Sequence, residues 1–320
     1  MKLERLYKEI INKGIEADVR SHKEIDAGLK KKKKVFDKLD KKGKEFFDPD
    51  DLFNPYSDTR ILNGSLKADI NSVIVGIDVE VGELLAMDRL NEKGKKIDLA
   101  IAHHPEGYAF AKFYEVMDLQ ADIFAKEGIP ISACENLLGE RKLQVARRVH
   151  AANHSRSVDV ASLLNLNYLC MHTPCDNLAN QFLKKQLNKA KPQSLEEVMD
   201  LLLTIPEYAD AAKKNNAPMI AVGSKNSRCK NIHLEFTGGT EGPKQIYSKL
   251  SEQGVDTIVA MHQSEEHFKK CKEANINVIF ASHIASDNIG INIMLDHLES
   301  KGKLKVFEFS GFKRFRRKSK

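Results

Sequence analysis

The chain has 320 residues and a mass of 36.1 kDa, enough for one large domain or two ordinary ones. With 42% hydrophobic and 30% charged residues it can bury a substantial core, which excludes wholesale disorder, a collagen-like rod and a disulfide-stapled miniprotein. The net charge of +6 invites a nucleic-acid reading, but the stretch Lys313–Lys320 carries six basic side chains and leaves residues 1–312 neutral.

Residues 1–48 pattern as charged helix with a narrow apolar stripe through Leu3, Leu6, Ile10 and Ile11, followed by the run Lys30–Lys34. Asp48-Pro49, Asn54-Pro55 and Asn63-Gly64 mark a break, so residues 1–65 read as a helical, charged N-terminal extension. From about residue 70, short β-branched runs alternate with helical stretches, the mark of α/β architecture with crossover helices. Ser72–Asp78, Ile97–Ala102, Ile129–Ser132 and Leu166–Met171 are the expected strands of a first lobe over 66–190. Proline-punctuated helical sequence over 191–218 reads as a connector. The second lobe, 219–312, takes strands at Met219–Val222, Asn231–Phe236, Asp256–Met261, Asn277–Phe280 and Lys305–Phe309, with helices near 242–253, 264–275 and 286–299. A basic tail, 313–320, closes the chain. Two lobes of similar texture are a weak form of internal duplication.

The five cysteines, Cys134, Cys170, Cys175, Cys229 and Cys271, are odd in number and form no Cys-x-x-Cys pair, so they read as free thiols of a reducing compartment. No apolar stretch near the start resembles a signal peptide and no run of about 18 apolar residues could span a membrane, so a cytoplasmic protein is expected.

Of 11 histidines, several directly follow a strand. His103-His104-Pro105 follows the second run, His172-Thr-Pro-Cys-Asp176 the fourth, His262-Gln-Ser-Glu-Glu266-His267 the third strand of the second lobe, and Ser282-His283-Ile-Ala-Ser-Asp287 the fourth. The carboxyl ends of strands in an open α/β sheet share one edge, where such folds place ligands. Each motif has a bland counterpart: Asp176 and Asp287 suit helix first turns, and Ser264-Glu265-Glu266 suits a capped helix start. Together, several imidazoles and two carboxylates form a mixed N/O donor set for Zn, Fe, Mn or Ni rather than Ca. Two carboxylates also permit two ions about 3.5–4 Å apart with a shared hydroxide as nucleophile.

These residues resemble the NGG-one-interacting-factor-like family, whose members are often labelled type 2 homologues of GTP cyclohydrolase 1. The resemblance runs over roughly residues 66–300 and rests on Val73–Asp78 through His103-His104-Pro105, on His172-Thr-Pro-Cys-Asp176 and on Ser-His283-Ile-Ala-Ser-Asp287. It implies two α/β lobes with a dinuclear metal site in the cleft between them and a ring of subunits, typically a homohexamer. Carried over position by position, it implies His103, His104, Asp176, His283 and Asp287 as ligands of two divalent ions. The two aspartates are the candidates for bridging. Asp287 stands where the family usually has Glu, and Ser282 where Gly is usual. A rival alignment puts the middle ligand near Cys134-Glu135, with Glu135 as reserve, but there the family's Asp meets Leu138, which cannot ligate. His262, Glu266 and His267 fall on a segment lining the same cleft and are candidates for substrate contact or proton transfer.

Two functions are compatible with these residues. One is a metal-dependent hydrolase acting on a purine nucleotide such as GTP, as the family label implies, or on a phosphoester. The other is a non-catalytic, ring-forming metal-binding or protein-interaction scaffold. The turn Thr237-Gly238-Gly239-Thr240-Glu241-Gly242 between a strand and a helix could offer backbone N–H groups to a phosphate. Nucleic acid is disfavoured, because aromatics are only 7%, there is no Trp, and solvated charge runs account for Lys30–Lys34 and the tail.

Overall fold

In the computed structural model, which describes residues 1–317, the strands run β1 Thr59–Asn63, β2 Ser72–Gly76, β3 Leu99–Ala102, β4 Asn167–Met171, β5 Met219–Val222, β6 Ile232–Glu235, β7 Thr257–Ala260, β8 Asn277–Phe280 and β9 Lys305–Glu308. Residues 318–320 of the expected basic tail lie outside the described residues. One sheet has the order β1-β4-β3-β2-β9 and the other β5-β8-β7-β6. Parallel strands, β4, β3, β2 and β9 in the first sheet and β8, β7 and β6 in the second, are flanked by one antiparallel edge strand, β1 on β4 and β5 on β8. The repeated order is the internal duplication that sequence texture suggests.

β2, β3 and β7 are buried along their whole length, as parallel strands covered on both faces must be. Register brings their carboxyl ends level: Gly76 pairs with Ala102, Ala102 with Cys170, and Ala260 with Phe280. The residues directly after these strands therefore gather at sheet edges, which is the placement the histidine motifs require.

Several expected boundaries move. β1 lies inside the stretch expected as an extension, and the helix Leu3–Ala17 is part of the first-sheet core rather than an appendage. Its Leu3, Leu6 and Ile10 are fully buried among Val73, Val75 and Leu295. The expected last strand of the second lobe, β9, pairs with β2 of the first sheet. Ile129–Ser132 forms no strand: Pro130 caps the helix Ile131–His150, and the run is too short to resist a good helical sequence behind it. That helix and Asp118–Lys126, both expected in the first lobe, pack on the second sheet through Phe124, Cys134 and Leu138 against Ile246, Leu250 and Ile258.

The basic tail is not a solvated run over its described part. Lys313 pairs with Asp210 at 2.6 Å, Arg314 with Asp296 and Glu299, Arg316 with Glu299 at 3.0 Å, and Arg317 with Glu207 at 2.8 Å. All five cysteines are buried free thiols, and among the described residues no helix is long and apolar enough to cross a membrane.

Candidate metal centre

His103 and His104 leave the end of β3, and their backbone N–H groups donate to the carbonyl of Ile77 beside them. His172 leaves β4 and heads the helix Thr173–Ala190, which carries Asp176 in its first turn. The helix His283–Lys301 comes after β8 of the second sheet and carries Asp287 one turn after His283. The two helices are in close contact: a Cβ built on Gly290 would fall 2.1 Å from the carbonyl oxygen of Cys175. Only glycine permits that approach, which sets the two aspartates side by side.

Asp287 is 1% exposed and Asp176 4% exposed. Oδ1 of Asp287 lies 3.4 Å from Nε2 of His103, and its Oδ2 lies 3.6 Å from Nε2 of both His104 and His283. Asp176 places Oδ1 3.3 Å from Nε2 of His103 and Oδ2 3.6 Å from Nε2 of His172. These atoms form three overlapping donor groups, His103/Asp176/Asp287, His104/His283/Asp287 and His103/His104/His172. The separations suit shared ions, since a tetrahedral ion with bonds of about 2.1 Å spaces its ligands about 3.4 Å apart. Both oxygens of Asp287, Oδ1 of Asp176 and Nε2 of His103 are buried without a hydrogen-bond partner. Buried charged groups need compensation, and a divalent cation supplies it for this donor set.

The far nitrogens are anchored. Nδ1 of His103 donates to the carbonyl of Met171 at 3.2 Å, Nδ1 of His104 to Asp78 at 2.6 Å and Nδ1 of His172 to Asp58 at 2.8 Å. Such bonds fix ring orientation and leave Nε2 for the cluster. Asp58 is itself held, accepting from the hydroxyl of Thr173 at 2.6 Å. Its loop is locked by fully buried Arg60, which pairs with Asp48 at 3.1 Å and Asp51 at 2.8 Å and donates to the carbonyl of Thr59.

Burial opposes charge on His103, but Asp287 and Asp176 outweigh it and raise its pKa well above the ordinary value. His104, also desolvated but bonded to Asp287 and Asp78, is raised to about 9. Burial would lift Asp287, yet the facing histidines, His103 first, hold it well below the carboxylate range. His283 is lowered by desolvation that Asp287 only partly offsets. The carboxylates thus attract positive charge to the cluster and can trade a proton for a metal.

All five residues implied as ligands meet here. Asp287, although a methylene shorter than Glu, turns one oxygen to His103 and the other to His104 and His283. The reserve, Glu135, is exposed on the helix Ile131–His150 and is not brought to the cluster. Of the three candidates for proton transfer, exposed His262 stands beside His283, with ring centroids 4.6 Å apart, and lines the cleft. Glu266 and His267 are not among the residues lining that cleft. Glu266 points to solvent and pairs with Lys244 at 2.7 Å, while His267 spends Nδ1 on Ser264 at 2.6 Å and Nε2 on the carbonyl of Gly242 at 2.8 Å. His267 thereby secures the start of the helix Glu265–Glu273. His172 is missing from the sequence-derived ligand set, and so are the anchors Asp58 and Asp78 behind the rings. His172 had a signal, four residues before Asp176 and directly after a strand; Asp58 had none, lying among turn residues.

The cleft in front of the cluster, about 80 Å³, is bounded on the far side by the Thr237–Gly242 turn. Gly238 and Gly239 take positive φ of 94° and 89°, and Gln120 donates to the carbonyls of Gly238 and Thr240 at 2.8 and 2.6 Å.

A family model described as Duf34/NIF3 (NGG1p interacting factor 3) matches residues 145–313, more than half of the chain, including His172, Asp176, His283 and Asp287. Among solved structures the chain is similar to a NIF3 superfamily protein from Sphaerobacter thermophilus, with 28% identity over 80% of this chain and 91% of that one and a TM-score of 0.71. Reduced HcgD from Methanocaldococcus jannaschii is 13% identical over 86% of this chain and 96% of that one, with a TM-score of 0.49. A Staphylococcus aureus hypothetical protein, SA1388, is 16% identical over 78% and 89%, with a TM-score of 0.45. No curated protein matches.

Proposed function

This chain belongs to the Duf34/NIF3 family, and from that premise we propose that it is a hydrolase dependent on two divalent metal ions, acting on a phosphoester or a purine nucleotide. The observation that carries the reading is Asp287, whose two buried oxygens lack hydrogen-bond partners and face different imidazoles. His103, Asp176 and Asp287 would hold one ion, with His172 at its flank, and His104, His283 and Asp287 the other. Bound ions supply Lewis acidity toward a carbonyl or phosphoryl oxygen and make water a nucleophile at neutral pH.

The chain's own groups account for the rest. Asp78, Asp58 and the Met171 carbonyl hold the three imidazoles of the first sheet in fixed tautomers, so that each offers Nε2. His262, exposed and beside His283, would carry a proton to or from the substrate. The Thr237–Gly242 turn forms the wall of the cleft opposite the cluster.

Elemental analysis of protein reconstituted with Mn, Zn or Fe should find two ions per chain. A screen against GTP and generic phosphoesters should find turnover that His104→Ala abolishes. Stoichiometric metal without turnover on any of these would leave a metal-binding scaffold instead. The family resemblance carries with it a hexameric ring, which light scattering would register as six chains of 36.1 kDa.

A further inference from the structure

β2 and β6 hold equivalent places in the two sheets, but β2 has β9 on its outer side while β6 has no such neighbour among the described residues. A groove of about 550 Å³ lies in that position, between β6, the helix Thr173–Ala190 and the end of the helix Asp118–Lys126. Ile123, His233 and Leu234 line both this groove and the cleft at the metal centre, so the two adjoin across a shared wall.

The groove is furnished for an anion. The carbonyls of Asn231 and Glu235 accept from the β7 side, so the alternation of a strand turns the backbone of Ile232 and Leu234 toward the groove. Lys126, Lys184, Lys191 and Lys230 stand around its rim, exposed and without a carboxylate partner among the described residues. The carboxylate within it, Glu127, is taken by His233 at 2.9 Å. Asp176, Asn180 and Lys184 succeed one another at intervals of one turn along a single helix, so Lys184 sits about 12 Å along the axis from the metal centre.

We propose that this groove binds the phosphate chain of a small-molecule substrate whose reacting end lies at the His/Asp cluster, an assignment that rests on the cluster being the reaction centre. The ligand class is an oligophosphate or a molecule bearing one, with the lysines meeting its charge and the N–H groups of Ile232 and Leu234 meeting its oxygens. Four cations around one opening match the dense charge of linked phosphates. An acidic peptide spreads one carboxylate per residue along an extended chain and alternates their direction.

The test is calorimetric titration of inorganic tripolyphosphate into chelator-stripped protein, so that no metal contributes. The native chain should bind, and Lys184→Glu with Lys230→Glu should weaken binding by about tenfold or more, the scale of losing charge-assisted contacts. Absence of binding, equal binding by the charge-reversed variant, or equally effective competition by a hexaglutamate peptide would overturn the assignment. Elemental analysis of the same variants separates the two proposals. Metal uptake with lysine-independent phosphate binding removes the groove and leaves the centre, while lysine-dependent binding without metal uptake supports the groove and removes the centre.

Discussion

The two sheets share one strand order, yet they treat the histidines at their strand ends differently. His103, His104 and His172 leave the first sheet with Nδ1 tied to a carbonyl or carboxylate, and each presents Nε2 to the same small volume. From the second sheet only His283 reaches that volume, with Asp287 one turn behind it, while His262 stays exposed and His267 serves as a helix anchor. A strand-end position is therefore necessary for a place in the cluster but does not suffice. The first set is distinguished by a second layer of anchoring groups, and that layer comes from Asp58 just before β1, Asp78 just after β2 and the Met171 carbonyl at the end of β4.

The sharpest way to break this contrast is to remove the one residue that serves both donor groups. Asp287→Ala should reduce metal content, read by elemental analysis, to near zero, whereas Glu266→Ala should leave it unchanged. Next in size is the support beneath Asp58. Arg60→Met strips a buried network of its guanidinium and leaves Asp48 and Asp51 only the longer pairings with Lys112 and Lys32, so denaturant unfolding should register a loss of about 3 kcal/mol.

A milder cut spares the fold and loosens a single ring. Asp58→Asn keeps the shape but weakens the hold on Nδ1 of His172, and calorimetric titration should show metal affinity lowered about 10–100-fold. If affinity stays at the native value, anchoring is not what separates the two sheets. His267→Gln tests the other side. It should cost about 1 kcal/mol of thermal stability through a lost hydrogen bond while metal affinity holds. The smallest effect is expected at Ser282, which takes φ 74° directly before His283 and buries its hydroxyl without a partner. Ser282→Gly should raise stability by about 1 kcal/mol, measured as a shift in unfolding midpoint.

Local sequence determined much of this protein. Parallel strands buried on both faces leave unbroken apolar runs, and a β/α rhythm brings the residues after each strand to one edge of the sheet. The strand-end histidine motifs and the two α/β lobes were legible for that reason, while the set of five implied ligands came through the resemblance to the family. Tertiary structure alone decided which helices cover which sheet, because the helices at Asp118–Lys126 and Ile131–His150 carry apolar faces that either sheet could bury. It also decided that β9 returns to β2, since a strand's pairing partner is not written in its own residues. The same holds for the supports of the cluster. Asp58 lies among turn residues 114 positions before the histidine it holds, and only the antiparallel pairing of β1 with β4 brings the two together. Donor types are chemistry that a single residue carries. Their geometry depends on contacts made by chain segments that meet only after folding.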